Sequence, residues 1–330
     1  MTHKISNKIM NSDFKGPRHN PADRCRRKSR HPLYCMSVAH TAFNICQEGL
    51  AMSSFTKKCL DLIPSAIASR CFGAIADLHF PARLQTGINK TFVRLAHIDM
   101  DEALKPVEEY TSLNSLFTRQ LKSGARRIYD ADVVSPVDGC LSAFGRVEDD
   151  THLCVKKQHF DIQELVGTTA ASSWLKNAYY FIIYLSPSNY HRIHAPMTGH
   201  VTHMSYVPGR LLPVNRLGLA LTDDLFPTNE RLTTFMENHH GTRLALVKVG
   251  ATCVGRISVT YDLSRTNDTL KRSPFYREVN DADYQAGEEL AAFHLGSTVI
   301  LFVENKSFMP SPLLTPDQKI RMGEPIGQFE

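Results

Sequence analysis

The 330-residue sequence predicts an α+β protein, with a β-rich core over residues 112–330 preceded by N-terminal amphipathic helices. Three observations carry this reading. Short segments rich in β-branched and aromatic residues (Val133–Val134, Tyr179–Leu185, His200–Val207, Leu244–Val249, Cys253–Tyr261, Val299–Val303) alternate with Gly and Pro. Apolar residues at helical spacing occur only upstream, over residues 52–111, and residues 1–51 show neither period.

Residues 1–51 are rich in Asn, Ser, Arg, His and Pro, which predicts a basic, disordered extension. It carries nine Lys or Arg against three acids while the whole chain totals +5, so the remaining 279 residues balance at −1. The basic charge belongs to the extension, which argues against a nucleic-acid groove across the folded part. From Met52, Leu60, Ile63, Ile67, Cys71, Ile75 and Leu78 recur at helical spacing, and Ile88, Phe92 and Leu95 resume it after Pro81. Pro64 breaks or restarts the first piece. Lys57, Lys58, Arg70, Arg83, Lys90 and Arg94 outnumber Asp61 and Asp77 here. Periodicity alone favours a helix packed on its own domain, while the charge also suits one lying on anionic lipid. Eight cysteines without a Cys-x-x-Cys pair, five of them in the first 71 residues, indicate neither a zinc knuckle nor a disulfide framework. They fit reduced thiols in a cytoplasmic setting, with Cys140 and Cys154 as small core residues. No uncharged apolar run approaches the ~20 residues needed to cross a bilayer, and the basic N-terminus leads into no apolar segment with a cleavage site.

Four segments place reactive residue types beside turn formers at the ends of expected strands. Ser135-Pro136-Val137-Asp138-Gly139 reads on its own as a turn. Ser186-Pro187-Ser188-Asn189-Tyr190-His191-Arg192-Ile193-His194-Ala195-Pro196 carries two histidines three apart, which are bases, metal ligands or incidental surface residues. Asn229-Glu230-Arg231 reads as a solvated charge pair. Phe293-His294-Leu295-Gly296-Ser297-Thr298-Val299-Ile300 reads as a strand with a glycine kink.

In this order the segments resemble the phosphatidylserine decarboxylase family, over a stretch from about Met52 to the C-terminus. Leu295-Gly296-Ser297-Thr298 is the most specific element and Tyr190 to Pro196 is nearly as telling. Tyr206-Val207-Pro208-Gly209, Val214-Asn215, Phe226 with Asn229-Glu230-Arg231, and Val249-Gly250-Ala251-Thr252 add to it. The resemblance implies a self-processing, pyruvoyl-dependent decarboxylase that converts phosphatidylserine to phosphatidylethanolamine and CO2. It implies that Asp138 orients His194, that His194 takes the proton of Ser297 Oγ, and that Ser297 attacks the Gly296 carbonyl. The products are a β chain ending at Gly296 and an α chain of residues 297–330 whose first residue, Ser297, becomes the covalent pyruvoyl group, the electron sink of the reaction. His191 and His194 are the acid-base candidates for the decarboxylation itself. The resemblance also turns residues 52–111 into a membrane-docking segment, on the cytoplasmic face of the cell membrane, and suggests a homodimer.

Three features depart from the family pattern. Residues 1–51 lie upstream of Met52-Ser53-Ser54-Phe55, which looks like the usual family start, so the extension is expected to be dispensable. Lys157 stands where Gly commonly follows Lys156, and Gln285-Ala286 stands where Lys is common before Gly287-Glu288, which puts local loop geometry in question. A rival reading takes His191, His194, His200 and His203 as zinc ligands. No carboxylate or thiolate pattern accompanies them, and residues i and i+3 on a strand point to opposite faces. Another rival is a non-catalytic membrane-binding protein with a decayed site, which the intact Asp138, His194, Gly296 and Ser297 argue against. A third keeps the chemistry and changes the substrate, to another amino-acid head group or to a free amino acid.

Overall fold

The structure, a computed structural model, describes residues 73–147, 152–155, 158–214, 224–251, 256–263, 266, 273–294 and 297–330. The extension, residues 52–72 of the first helical piece, Lys157 and Gly296 lie outside the described residues. Those described belong to one compact unit, Leu62–Glu330.

The core is a nine-stranded antiparallel sheet in the order 275–278, 199–207, 231–237, 243–249, 298–303, 179–184, 139–146 and 318–320, with 283–284 also paired to 199–207. Its centre is Thr298–Val303, six residues buried without exception, paired with Tyr179–Tyr184 on one side and Arg243–Val249 on the other. Burial on both faces is why Thr-Val-Ile-Leu-Phe-Val reads as an unbroken apolar run with no alternation. A second sheet joins Arg256–Val259, Glu289–His294 and Arg192–His194, and a third joins Val133–Val134, Pro325–Phe329 and Phe308–Pro310. The expected glycine-kinked strand over 293–300 is thus two strands in different sheets, ending at His294 and restarting at Thr298. Ser297 sits at that switch, its carbonyl accepting from Leu185 N–H at 2.9 Å.

The helix Ala82–Ala96 differs from the expected face. Its buried residues are Gln85 and Asn89, Leu95 is 69 % exposed, and Ile88 and Phe92 are only half-buried. Polar side chains are tolerated inside because they are paired: Gln85 Nε2 donates to Asn89 Oδ1 (2.8 Å), and Asn89 Nδ2 donates to Tyr110 O (2.8 Å). After a single 3-10 turn at Val107–Glu109 comes the short helix Leu113–Phe117, started by a reciprocal Ser112/Ser115 capping box.

Lys248, beside the central strand, is fully buried, and Nζ donates to Thr234 Oγ1 (2.5 Å) and Leu246 O (3.2 Å). Burial holds its pKa well below the usual lysine value. The unfolded chain keeps this proton up to about pH 10.4, so between the lowered pKa and that pH the unfolded state binds more protons and stability rises with pH. Lys248→Met is expected to stabilise the fold by about 2 kcal/mol at pH 7, with the gain shrinking toward pH 10. Melting curves at both pH values test this, and a pH-independent gain would refute it.

Candidate active site

The Ser135–Gly139 turn is closed by Ser135 Oγ donating to Val137 O at 2.8 Å. Gly139 is required by close approach, since a Cβ there would lie 2.6 Å from the Tyr184 carbonyl oxygen. The turn is tied to the histidine segment by His194 N–H donating to Pro136 O and Val134 N–H donating to Pro196 O, both at 2.8 Å. The buried Asp138 carboxylate accepts from Arg126 Nε (2.9 and 3.2 Å), Arg126 Nη2 (2.5 Å) and Met322 N–H (2.9 Å). Arg126 also donates to Glu102 at 2.7 Å, a bond that holds the Glu102 carboxyl below its usual range.

The resemblance led us to expect Asp138 to orient His194, but in this structure no hydrogen bond joins the two side chains. Its Nδ1 lies 2.8 Å from Gly287 O, and because a carbonyl only accepts, Nδ1 carries the proton. Nε2 lies 3.0 Å from Tyr190 Oη and in the neutral ring accepts the phenolic proton. Asp138 is occupied by Arg126, so in this arrangement Gly287 and Tyr190 orient His194. Burial lowers the His194 pKa, against the opposing effect of the Gly287 bond.

His191 is fully buried, and its Nδ1 donates to Asn189 O at 2.9 Å. Nε2 has no hydrogen-bond partner among the described residues, and the ring packs 4.0 Å from that of Phe117. Burial, reinforced by the Arg119 charge, lowers its pKa to about 3. Ser297 Oγ is likewise buried and without a partner among the described residues. Unpaired buried polar atoms are rare enough to require a reason. Here they are a nucleophile and a neutral lone pair, the Thr298 and Tyr110 hydroxyls sharing the condition; the backbone ties His191 O to Phe293 N–H and Ser297 O to Leu185 N–H. A cleft of about 520 Å³ is lined by Asp138, Tyr184, Asn189, Tyr190, Arg119 and Arg126 among others; His191, His194 and Ser297 lie behind its wall, adjoining lining residues in the chain, by hydrogen bond or by strand pairing.

The family model for phosphatidylserine decarboxylase matches residues 113–328. The chain belongs to the phosphatidylserine decarboxylase family. A phosphatidylserine decarboxylase proenzyme of Myxococcus xanthus is 36% identical over 272 residues, which cover 82% of this chain and 96% of that protein. One of Anaeromyxobacter is 37% identical over 276 residues (81% and 96%), and one of Helicobacter pylori 34% over 265 residues (79% and 96%).

In this decarboxylase chain Asn229-Glu230-Arg231 is a buried clamp, contrary to the solvated pair its sequence suggests. Asn229 Nδ2 donates to Leu212 O and Gly250 O, both at 2.9 Å, and Glu230 accepts from Tyr206 Oη at 2.6 Å. Arg231 donates to backbone carbonyls, including those of Leu165 (3.1 Å) and Glu164 (2.9 Å). His200 and His203 lie on a main-sheet strand and His194 on the second sheet, with His203 stacked on Tyr276 at 4.9 Å. Among the described residues no three His, Cys, Asp or Glu side chains gather as a metal site. Sequence reasoning missed Arg119, Arg126, Tyr190 and Gly287 as members of the site. For the arginines a signal existed, four cations (Arg119, Lys122, Arg126, Arg127) in the polar stretch 110–127 just before the Ser135–Gly139 turn; the Gly287 carbonyl leaves none.

Proposed function

We propose that this chain is a proenzyme that splits itself between Gly296 and Ser297 and, once split, converts phosphatidylserine to phosphatidylethanolamine and CO2. Membership of the family supports the reaction, and the observation that carries the site is Ser297 Oγ, buried and unpartnered where the chain passes between two sheets. Strain or an unmet bond at a functional position is a reservoir that reaction can release.

Ser297 would give its Oγ–H proton to a neutral histidine Nε2, and Oγ would add to the Gly296 carbonyl carbon. The C–N bond then breaks, the nitrogen takes the proton, and the amide has become an ester. Loss of the Ser297 Cα proton expels the Gly296 carboxylate. Addition of water and departure of ammonia leave a ketone at position 297. Ser297 fits this precursor role, since its hydroxyl is shielded from water and, among the described residues, no hydrogen bond holds it back. The pyruvoyl group so formed supplies the electron sink for CO2 loss. His191 Nε2 is the lone pair available to take the proton the lipid ammonium must lose and return it to the carbon that lost CO2. Asp138, clamped by Arg126, keeps the cleft wall in register with the His194 turn.

The substrate lies in a bilayer, and residues 73–96 offer a surface to it. Ile75, Leu78, Leu84 and Leu95 are at least half exposed, and Arg83, Lys90 and Arg94 flank them, a composition suited to anionic lipid. No helix among the described residues is long and apolar enough to cross a membrane, so docking would be peripheral. The deciding experiment is CO2 release from carboxyl-labelled phosphatidylserine in vesicles by the purified protein, with phosphatidylethanolamine formed in equal amount. Split protein that releases no CO2 from this lipid overturns the reading.

A further inference from the structure

Arg119 is 4 % exposed and has no carboxylate within ion-pair distance among the described residues. The capping box of Leu113–Phe117 aims Phe117 at His191 and delivers Arg119 to the loop before it. Nη2 donates to Ser188 O (3.1 Å) and Asn189 O (3.2 Å), whereas Nε and Nη1 donate to nothing among the described residues. Asn189 O is also the acceptor of His191 Nδ1, so guanidinium and imidazole meet at one carbonyl. Arg119 lines both the 520 Å³ cleft beside Asp138 and a neighbouring 260 Å³ cavity.

Other cations of the cleft are differently placed. Arg126 spends its donors on Asp138, Glu102 and Ala125 O, and Arg321 donates to Glu102. A buried, permanently charged fork with two idle nitrogens, three N–H bonds in all, is costly unless an anion completes it. Burial pulls the Arg119 pKa down from its usual value, in keeping with a cation short of partners.

Resting on the function proposed above, we infer that Arg119 binds the phosphodiester anion of the lipid head group. The substrate has two anionic groups, and the chemistry chooses between them. The carboxylate loses its charge as CO2 departs, so a cation placed on it would stabilise the ground state over the transition state and slow the reaction. The phosphodiester keeps its charge throughout, and a planar, bidentate guanidinium matches it. Held there, the head group presents its amine and carboxylate toward His191.

The test uses the purified, split protein, phosphatidylserine in mixed micelles, and two amine-free inhibitors: glycerophosphoglycerol, a phosphodiester, and 3-hydroxypropionate, a carboxylate. Arg119→Met is expected to raise KM about 10- to 100-fold, the scale of a lost charge-assisted pair, with kcat little changed. Its Ki for glycerophosphoglycerol should rise about tenfold or more and that for 3-hydroxypropionate should not move. Arg119→Lys, which keeps the charge and loses the fork, should fall between. A rise confined to 3-hydroxypropionate would put the guanidinium on the carboxylate and overturn the assignment, as would unchanged values for both. Failure of both variants to split at 296 would assign Arg119 a structural role and overturn it too. Wild-type protein that splits but leaves phosphatidylserine intact would remove the functional reading, and this inference with it.

Discussion

Ser297→Ala is expected to give one uncut chain of 37.1 kDa with no decarboxylase activity, where the wild type gives two fragments meeting at residues 296 and 297. The methyl side chain has neither a nucleophile to attack the Gly296 carbonyl nor an oxygen to carry the ester, so the loss is complete. Intact-mass spectrometry of both proteins reads the outcome, and the smaller wild-type fragment should resist N-terminal sequencing because a keto group replaces its amine. The fold adds a second expectation. The fragment from residue 297 onward supplies the central strand, hydrogen-bonded on both edges, together with 318–320 at the end of the main sheet and two strands of the third sheet. The fragments should co-elute on a native sizing column and part only in denaturant. Separation without denaturant, or a cut elsewhere, would refute this account of the site.

The strands were legible where local chemistry decides them. Tyr179–Tyr184, Gly199–Val207, Arg243–Val249 and Thr298–Val303 lie within a residue of their predicted bounds, because β-branched and aromatic runs have no helical alternative at that length. Which sheet each joins was not legible, since nothing local to Phe293–Ile300 states that the chain changes sheets there. The helix Ala82–Ala96 shows a related limit: Gln85 and Asn89 turn inward because Tyr110 O, 21 residues on from Asn89, needs a donor. The chemical identities of Asp138, His191, His194 and Ser297 stood out through family resemblance, while two of the bonds that orient them, on Asp138 and on His194 Nδ1, come from outside their own segments. Arg126 donates to the Asp138 carboxylate and the Gly287 carbonyl accepts from His194 Nδ1–H, two pairings that only the fold creates.

The two histidines are expected to separate the two phases of the chemistry: His194→Ala should remain a single uncut chain, while His191→Ala should split and then release CO2 about 10²- to 10⁴-fold more slowly. Both rings carry their proton on Nδ1, fixed by a carbonyl, so both offer Nε2 as a base. Their surroundings differ. His191 shares Asn189 O with Arg119, which on the assignment proposed above puts it on the lipid side of the site. His194 lies on the strand paired to Glu289–His294, the strand that leads to the cut, and its Nε2 is covered by Tyr190. Burial raises the Tyr190 pKa, keeping that phenol a donor through the neutral range, so it must swing aside before His194 can take the Ser297 proton. Tyr190→Phe should therefore leave splitting intact or hasten it. The pH profile follows from the same burial. Protonation of Nε2 abolishes a base, and because the His191 pKa is lowered to about 3, kcat for decarboxylation should stay flat as pH falls from 8 through 6.5. An acid limb at the ordinary histidine value of about 6.5 would show that the working base is not buried as His191 is. If the two alanine variants exchange phenotypes, the roles exchange, and the shared carbonyl of Asn189 marks the processing base instead of the lipid's.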